Sequence, residues 1–190
     1  VTKIGFTKSS KRQVLLQVLP VKIRSMDGKE LTTYAILDDC SQATLVREDF
    51  AEKLGMKGTK VDVSIGTITQ DGEDLTVNQV SFKVTSATFH GETFVANGAY
   101  SIPKSRFHVP SQKLPSDFKS NTKYRHLQGY GFKDVDAKDI TILLAADIPS
   151  AIVAQEYREG VKNQPLAVRT ALGWALLGVA DGSVSEGRIP

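Results

Sequence analysis

The sequence of 190 residues contains one cysteine, Cys40. No disulfide can close within the chain, and an oxidising compartment gains no support. Histidine is scarce too: His90, His108 and His126 stand far apart, and none has a second ligand at the close spacing of zinc sites. No metal and no cofactor is therefore expected. No apolar run approaches the length a bilayer requires, which argues against a membrane span. An excess of one charge is also missing, since 24 basic residues are interspersed with 21 acidic ones for a formal net charge of +3. That balance offers no strong field for nucleic acid. The sequence starts at Val1 and no charged-then-apolar leader follows, so it reads as a segment of a longer chain, intracellular and cytoplasmic.

What is present suits a globular domain: 41% hydrophobic and 24% charged residues, in a length that predicts one main domain with a substantial core. Residues 14 to 23 are apolar and β-branched, a strand interrupted or edged at Pro20. Met26-Asp27-Gly28-Lys29 reads as a hairpin turn in which Asp27 and Gly28 both take positive φ. Strands are expected over 31 to 37 and 43 to 46, then a helix over 47 to 54 with Phe50, Ala51 and Leu54 on one face and Gly55 as its cap.

Val61, Val63 and Ile65 alternate toward a hairpin tip at Gln70-Asp71-Gly72-Glu73, and Leu75 and Val77 lead back. Val80, Phe82 and Val84 fall on the opposite parity, which predicts a bulge or bend after Val77. A strand fits 93 to 99, and residues 102 to 133, rich in Pro, Ser, Lys and Asn, read as loops with room for one short helix. The run from 140 to 146 reads as a buried strand, with a short helix after Asp147-Ile148-Pro149. Two strands, 166 to 170 and 172 to 179, close the chain, with a bulge at Gly173-Trp174 turning the indole into the core. Many short strands with one or two short helices predict an all-β closed barrel.

Chemistry concentrates in Ala35-Ile36-Leu37-Asp38-Asp39-Cys40-Ser41-Gln42-Ala43-Thr44-Leu45-Val46, where acids and small polar residues lie between two apolar strands. By composition alone such a window is more often a polar turn whose Asp39 or Ser41 bonds nearby amides. The pattern apolar-apolar-Asp-x-x-Ser-Gln, followed by a short strand and a helix, resembles the active-site segment of the retropepsin-like aspartic proteases of BEL/Pao-type LTR retrotransposon polyproteins. Further pieces agree in order: the helix at 47 to 55, the apolar loop Ile142-Leu143-Leu144-Ala145-Ala146-Asp147, and the closing Val168-Arg169-Thr170-Ala171-Leu172-Gly173-Trp174. The resemblance covers about residues 13 to 179.

The resemblance implies a retropepsin-like domain over 13-180 with a loop-rich insertion at about 102-138, an N-terminal extension (1-12) and a C-terminal tail (181-190). It implies an aspartic endopeptidase, active as a homodimer, that cleaves a retrotransposon polyprotein with Asp38 as the catalytic carboxylate. Hydrolysis without a metal needs a base for water and an acid for the leaving nitrogen, and two close carboxyls sharing a proton supply both. One such motif per chain means that the second Asp38 comes from another copy. Asp39, Cys40 and Ser41 complete the loop, with the Ser41 hydroxyl able to bond the active carboxylate. Gly66, Thr67, Ile68, Asp71 and Gly72 are implied as a flap over bound peptide. Ala145, Ala146 and Asp147 form a structural second loop, Asp147 as a helix N-cap or in an ion pair.

Asp39 and Cys40 stand where the family places Ser or Thr and then Gly, and Ala145 where Gly is common. Those positions motivate a second reading, a decayed or domesticated protease fold that serves as a dimerisation or peptide-binding module.

Overall fold

The computed structural model describes residues 12–67 and 70–181. In chain order the elements are β1 (Arg12–Leu15), β2 (Val18–Ser25), β3 (Glu30–Asp38), β4 (Leu45–Arg47), α1 (Glu48–Leu54), β5 (Gly58–Thr67), β6 (Gln70–Ser86) and β7 (Phe94–Ile102). Two 3-10 turns, Thr122–Leu127 and Ala137–Asp139, precede β8 (Ile140–Ala145), α2 (Pro149–Ile152), β9 (Glu156–Arg158), β10 (Leu166–Thr170) and β11 (Gly173–Asp181).

Alternation of apolar side chains turns one face of each long strand inward, and the result is a closed six-stranded barrel in the order β2-β3-β8-β4-β7-β6. It closes where β6 pairs back onto β2, Val21 opposite Ser86 through Ser25 opposite Phe82. Leu19, Val21, Ile23, Ala35, Leu37, Phe82, Val84, Ile142 and Leu144 fill the interior with the buried face of α1. Gly55 caps α1 at φ 68°, as its place in the sequence predicts. Every residue of β8 is buried, because Ile142 and Leu144 face this interior while Ile140, Leu143 and Ala145 face a second cluster outside the barrel wall.

Several local expectations change. The strand break falls at Leu16 and Gln17, where β1 departs for a different sheet; Pro20 sits inside β2 opposite Tyr34, one residue outside the pairing with β6 that begins at Val21. A missing N–H costs nothing there. In the turn after β2 only Gly28 has positive φ, at 92°, and Asp27 does not. Gly28 donates to the Ser25 carbonyl and Ser25 to the Lys29 carbonyl, so the connection is a tight turn closed by a left-handed glycine.

The parity change along β6 reflects a change of buried face. Val77 packs in the outer cluster with Ile36 and Leu45, whereas Val80 and Phe82 point into the barrel. A bulge does accompany it, but on the partner strand: Val80 pairs with Ala99 and Phe82 with Ala96, so the extra residue lies in β7, at Asn97 and the positive-φ Gly98.

A second sheet, in the order β1-β11-β10-β9, stands beside the barrel. The insertion covers one of its faces: Phe118, Tyr124 and Leu127 pack with Leu15, Ala167, Leu176 and Ala180 in a third cluster. No bulge occurs at Gly173-Trp174, because β10 and β11 pair without a shift from Leu166 opposite Leu177 to Thr170 opposite Gly173. Trp174 is half-buried at the rim of the third cluster, its ring 4.6 Å from Tyr130, and not in the barrel core.

Candidate active site

Asp38 is the last residue of β3, and β8 runs parallel beside it with Asp38 opposite Ala145. Strands β3 and β4 are consecutive in sequence, yet β8 lies between them, parallel to β3 and antiparallel to β4. The loop leaving β3 and the loop leaving β8 therefore emerge side by side at one end of the barrel. Burial of Leu37 below and of Leu45 and Val46 beyond fixes both ends of the first loop.

Within that loop both oxygens of the Asp38 carboxylate accept hydrogen bonds, from the Cys40 amide to Oδ1 at 3.0 Å and from Ser41 Oγ to Oδ2 at 2.8 Å. The Ser41 amide also donates to the Asp38 carbonyl at 3.3 Å. Asp38 is half-buried, and Asp39 and Cys40 are exposed. Short acceptor geometry of this kind fixes a carboxylate's plane and leaves its outer edge to solvent.

The second loop is bound to the first by a relay. Ala146 donates its amide to the Ser41 carbonyl at 3.0 Å. Thr44, fully buried, gives its amide to Asp147 Oδ2 at 2.9 Å and its hydroxyl to Oδ1 at 2.7 Å, and the same hydroxyl accepts from the Ala145 amide at 3.2 Å. Among the described residues Asp147 is thus neither a helix cap nor an ion-pair partner: the N-cap of α2 is Ile148, which caps without a side-chain bond. Asp147 ties loop to loop. The partner of Thr44 lies 103 positions away, beyond what local sequence shows.

Cys40 and Ala145 have ordinary backbone angles, since the one non-glycine residue at positive φ among those described is Asn163. A side chain at either position needs no rearrangement of the loops. The Cys40 thiol, 3.6 Å from Asp39 Oδ1, is held above the usual thiol range by that hydrogen bond first and then by the charges of Asp39 and Asp38. At neutral pH it is a neutral thiol, a poor nucleophile.

Ligand atoms of Asp38, Asp39 and Cys40 lie within 4.8 Å of one another. These three are neighbours on one turn, both Asp38 oxygens are already engaged, and the soft thiol retains its proton, which makes the group a poor match for a divalent cation.

The expected flap is the β5–β6 hairpin. Its tip differs from expectation, because Thr67 pairs with Gln70, so Asp71 and Gly72 belong to β6. They form a bulge there: Ile65 pairs with Glu73, and two residues of β6 oppose Gly66 alone. A Cβ at Gly72 would meet the Ser64 hydroxyl, so a side chain here requires the Ser64 side chain to move. Ile68 lies outside the described residues. In the half of the hairpin nearer its tip, Val63, Ile65 and Leu75 pack against the cluster that holds Ile36 and Leu45, residues of the strands on either side of the Asp38 loop.

Among the described residues, no helix is long and apolar enough to cross a membrane. Comparison of the chain with protein-family models, with curated proteins and with solved structures gives no match.

Proposed function

We propose that this chain is an aspartic endopeptidase of the retropepsin type, which cleaves peptide bonds of a retrotransposon polyprotein as a homodimer. One observation carries the reading: Asp38 sits at the mouth of a closed barrel with both carboxylate oxygens oriented by Ser41 and the Cys40 amide. A carboxylate held in this way has one free edge for a second carboxyl and a water. Across a two-fold axis the facing group is Asp38 of the other copy.

Two carboxyls about 3 Å apart share one proton. The ionised member removes a proton from water as its oxygen attacks the scissile carbonyl, and the protonated member gives its proton to the carbonyl oxygen. Collapse of the tetrahedral species breaks the C–N bond while a carboxyl protonates the departing nitrogen. The β5–β6 hairpin, whose tip-proximal half packs through Ile65 and Leu75 on the cluster beside the loop, supplies strand edges for an extended peptide.

Asp38→Asn is expected to abolish cleavage of a polyprotein-derived peptide with circular dichroism and melting temperature unchanged, and persistent cleavage would sink the assignment. A binding module without activity is the rival, motivated by the extra carboxylate of Asp39 on the exposed turn. Its signature is a wild-type protein that binds the peptide and leaves it intact.

A further inference from the structure

The even charge balance of the whole chain hides a local surplus: residues 102–138 carry eight Lys and Arg against three Asp, in a chain of net charge +3. Part of that surplus is joined to a line of half-buried aromatic rings. The Arg158 guanidinium lies 5.7 Å over the Trp174 ring and donates to the Tyr130 hydroxyl. Tyr130 packs on Trp174 at 4.6 Å and on Phe132 at 5.7 Å. The next residue, Lys133, crosses to the barrel and sets its ammonium 5.8 Å over the Tyr34 ring. Tyr34 in turn borders a cavity of about 390 Å³ with Lys53 and Lys138 on its wall. The acids among these contacts are Glu156, which bonds Arg158 and Arg169, Asp49, which bonds Arg47, and Asp139 at the cavity wall. Asp134, beside Lys133 in sequence, is turned to Lys113 and the Leu114 amide. Cations therefore outnumber acids along the line.

We propose that this line of interleaved rings and cations, from Trp174 to Lys138, is a binding surface for single-stranded nucleic acid. It shares no residue with the Asp38 loop and stands apart from the protease reading. Unpaired bases offer flat faces to aromatic side chains, while each nucleotide brings one phosphate for a neighbouring Lys or Arg. Both needs are met here in one run of contacts. The rings are already held by one another, so little side-chain freedom is lost when a base stacks on them. A duplex keeps its base faces covered, and an acidic peptide would use the lysines but has no use for the rings.

Fluorescence anisotropy of a labelled oligouridylate of about 16 nucleotides, titrated with the full chain at about 50 mM salt and above, tests this. The wild type is expected to bind, with log Kd rising against log salt by about 0.7 for each phosphate held. Tyr130→Ala should raise Kd about fivefold or more through lost stacking. Lys133→Ala should weaken binding and lower the salt slope by about 0.7. Lys133 is exposed, so its variant reads the surface even where loss of the Tyr130 ring disturbs its neighbours, which circular dichroism reports. Lys113→Ala, whose ammonium is taken up by Asp134 and Asp136, should bind like wild type. A wild type that does not bind overturns the proposal. So does binding by charge alone, seen as Lys113→Ala weakening binding as much as Lys133→Ala, polyglutamate competing as well as the RNA, or an RNA duplex binding as tightly as the single strand.

Discussion

Thr44 and Asp147, 103 positions apart, share two hydrogen bonds, amide to Oδ2 at 2.9 Å and hydroxyl to Oδ1 at 2.7 Å. Through this pair the loop that carries Asp38 and the loop after β8 behave as one unit. The strand order explains it: with β8 between β3 and β4, both loops leave the same end of the barrel.

Loss of either partner removes the shared hydroxyl–carboxylate bond, so the two losses together should cost less than their sum. Asp147→Ala strands a buried Thr44 amide and Thr44→Val removes the acceptor of Ala145, each a loss of about 1–3 kcal/mol. Urea denaturation of the two single variants and the double should give a double-mutant cost well below the sum. Additive costs would show that the loops are held independently.

Ser41→Ala removes the donor to Asp38 Oδ2. Hydrogen bonds to charged groups contribute about 1.5–3 kcal/mol, equivalent to roughly 10- to 100-fold in rate. The expected result is that kcat falls in this range with KM little changed, as measured by steady-state peptide cleavage, and that the melting temperature falls with the lost bond while circular dichroism is kept. A loss confined to KM would assign Ser41 to substrate binding.

The Cys40 thiol is held above its usual range by Asp39 through its hydrogen bond and charge, and by the charge of Asp38. Less thiolate is present at any given pH, so alkylation by iodoacetamide should be slow for so exposed a thiol. Asp39→Asn lowers the thiol's pKa and moves the midpoint of the rate-against-pH curve to lower pH. Mass spectrometry of the adduct at several pH values reads the shift, and an unmoved midpoint would refute the coupling.

Arg47 donates to both oxygens of Asp49, at 2.6 and 3.1 Å, and to the carbonyls of Lys138 and Ile140. Its hydrogen bond is the main cause that holds the Asp49 carboxyl below the ordinary value, opposed by burial and helped by the Arg47 and Lys104 charges. A depressed carboxylate stabilises the fold above its unfolded pKa, about 3.9, and that contribution is lost as pH falls through the folded value. Asp49 is 42% exposed, so Asp49→Asn should cost at most about 1 kcal/mol at neutral pH and nothing in strong acid. Arg47→Met should cost more and continue to cost in acid, because carbonyl acceptors do not titrate. Melting temperatures across pH separate the two.

Much of the barrel is legible along the chain because its signals are local. The Gly55 cap needs only one turn of helix, and the run from Ile140 to Ala145 reads as buried because both of its faces are covered. Errors arose where a signal depends on a distant partner. Gly72 lies within β6 beside the Ser64 side chain and not at the turn. The parity switch after Val77 marks a strand that leaves one cluster for another.

At the candidate site, sequence alone singled out Asp38 and its donor Ser41, three residues apart and thus within one turn. It also fixed the all-β class, through alternating apolar residues that can be buried only on strand faces. Tertiary structure decided the rest: the insertion of β8 between β3 and β4, the bond from Thr44 to Asp147, and the ordinary backbone that accommodates Cys40 and Ala145. The physical reason is range. Periodicity and turn chemistry act over a few residues, whereas strand order and cross-loop hydrogen bonds are set by which distant apolar faces bury each other most completely.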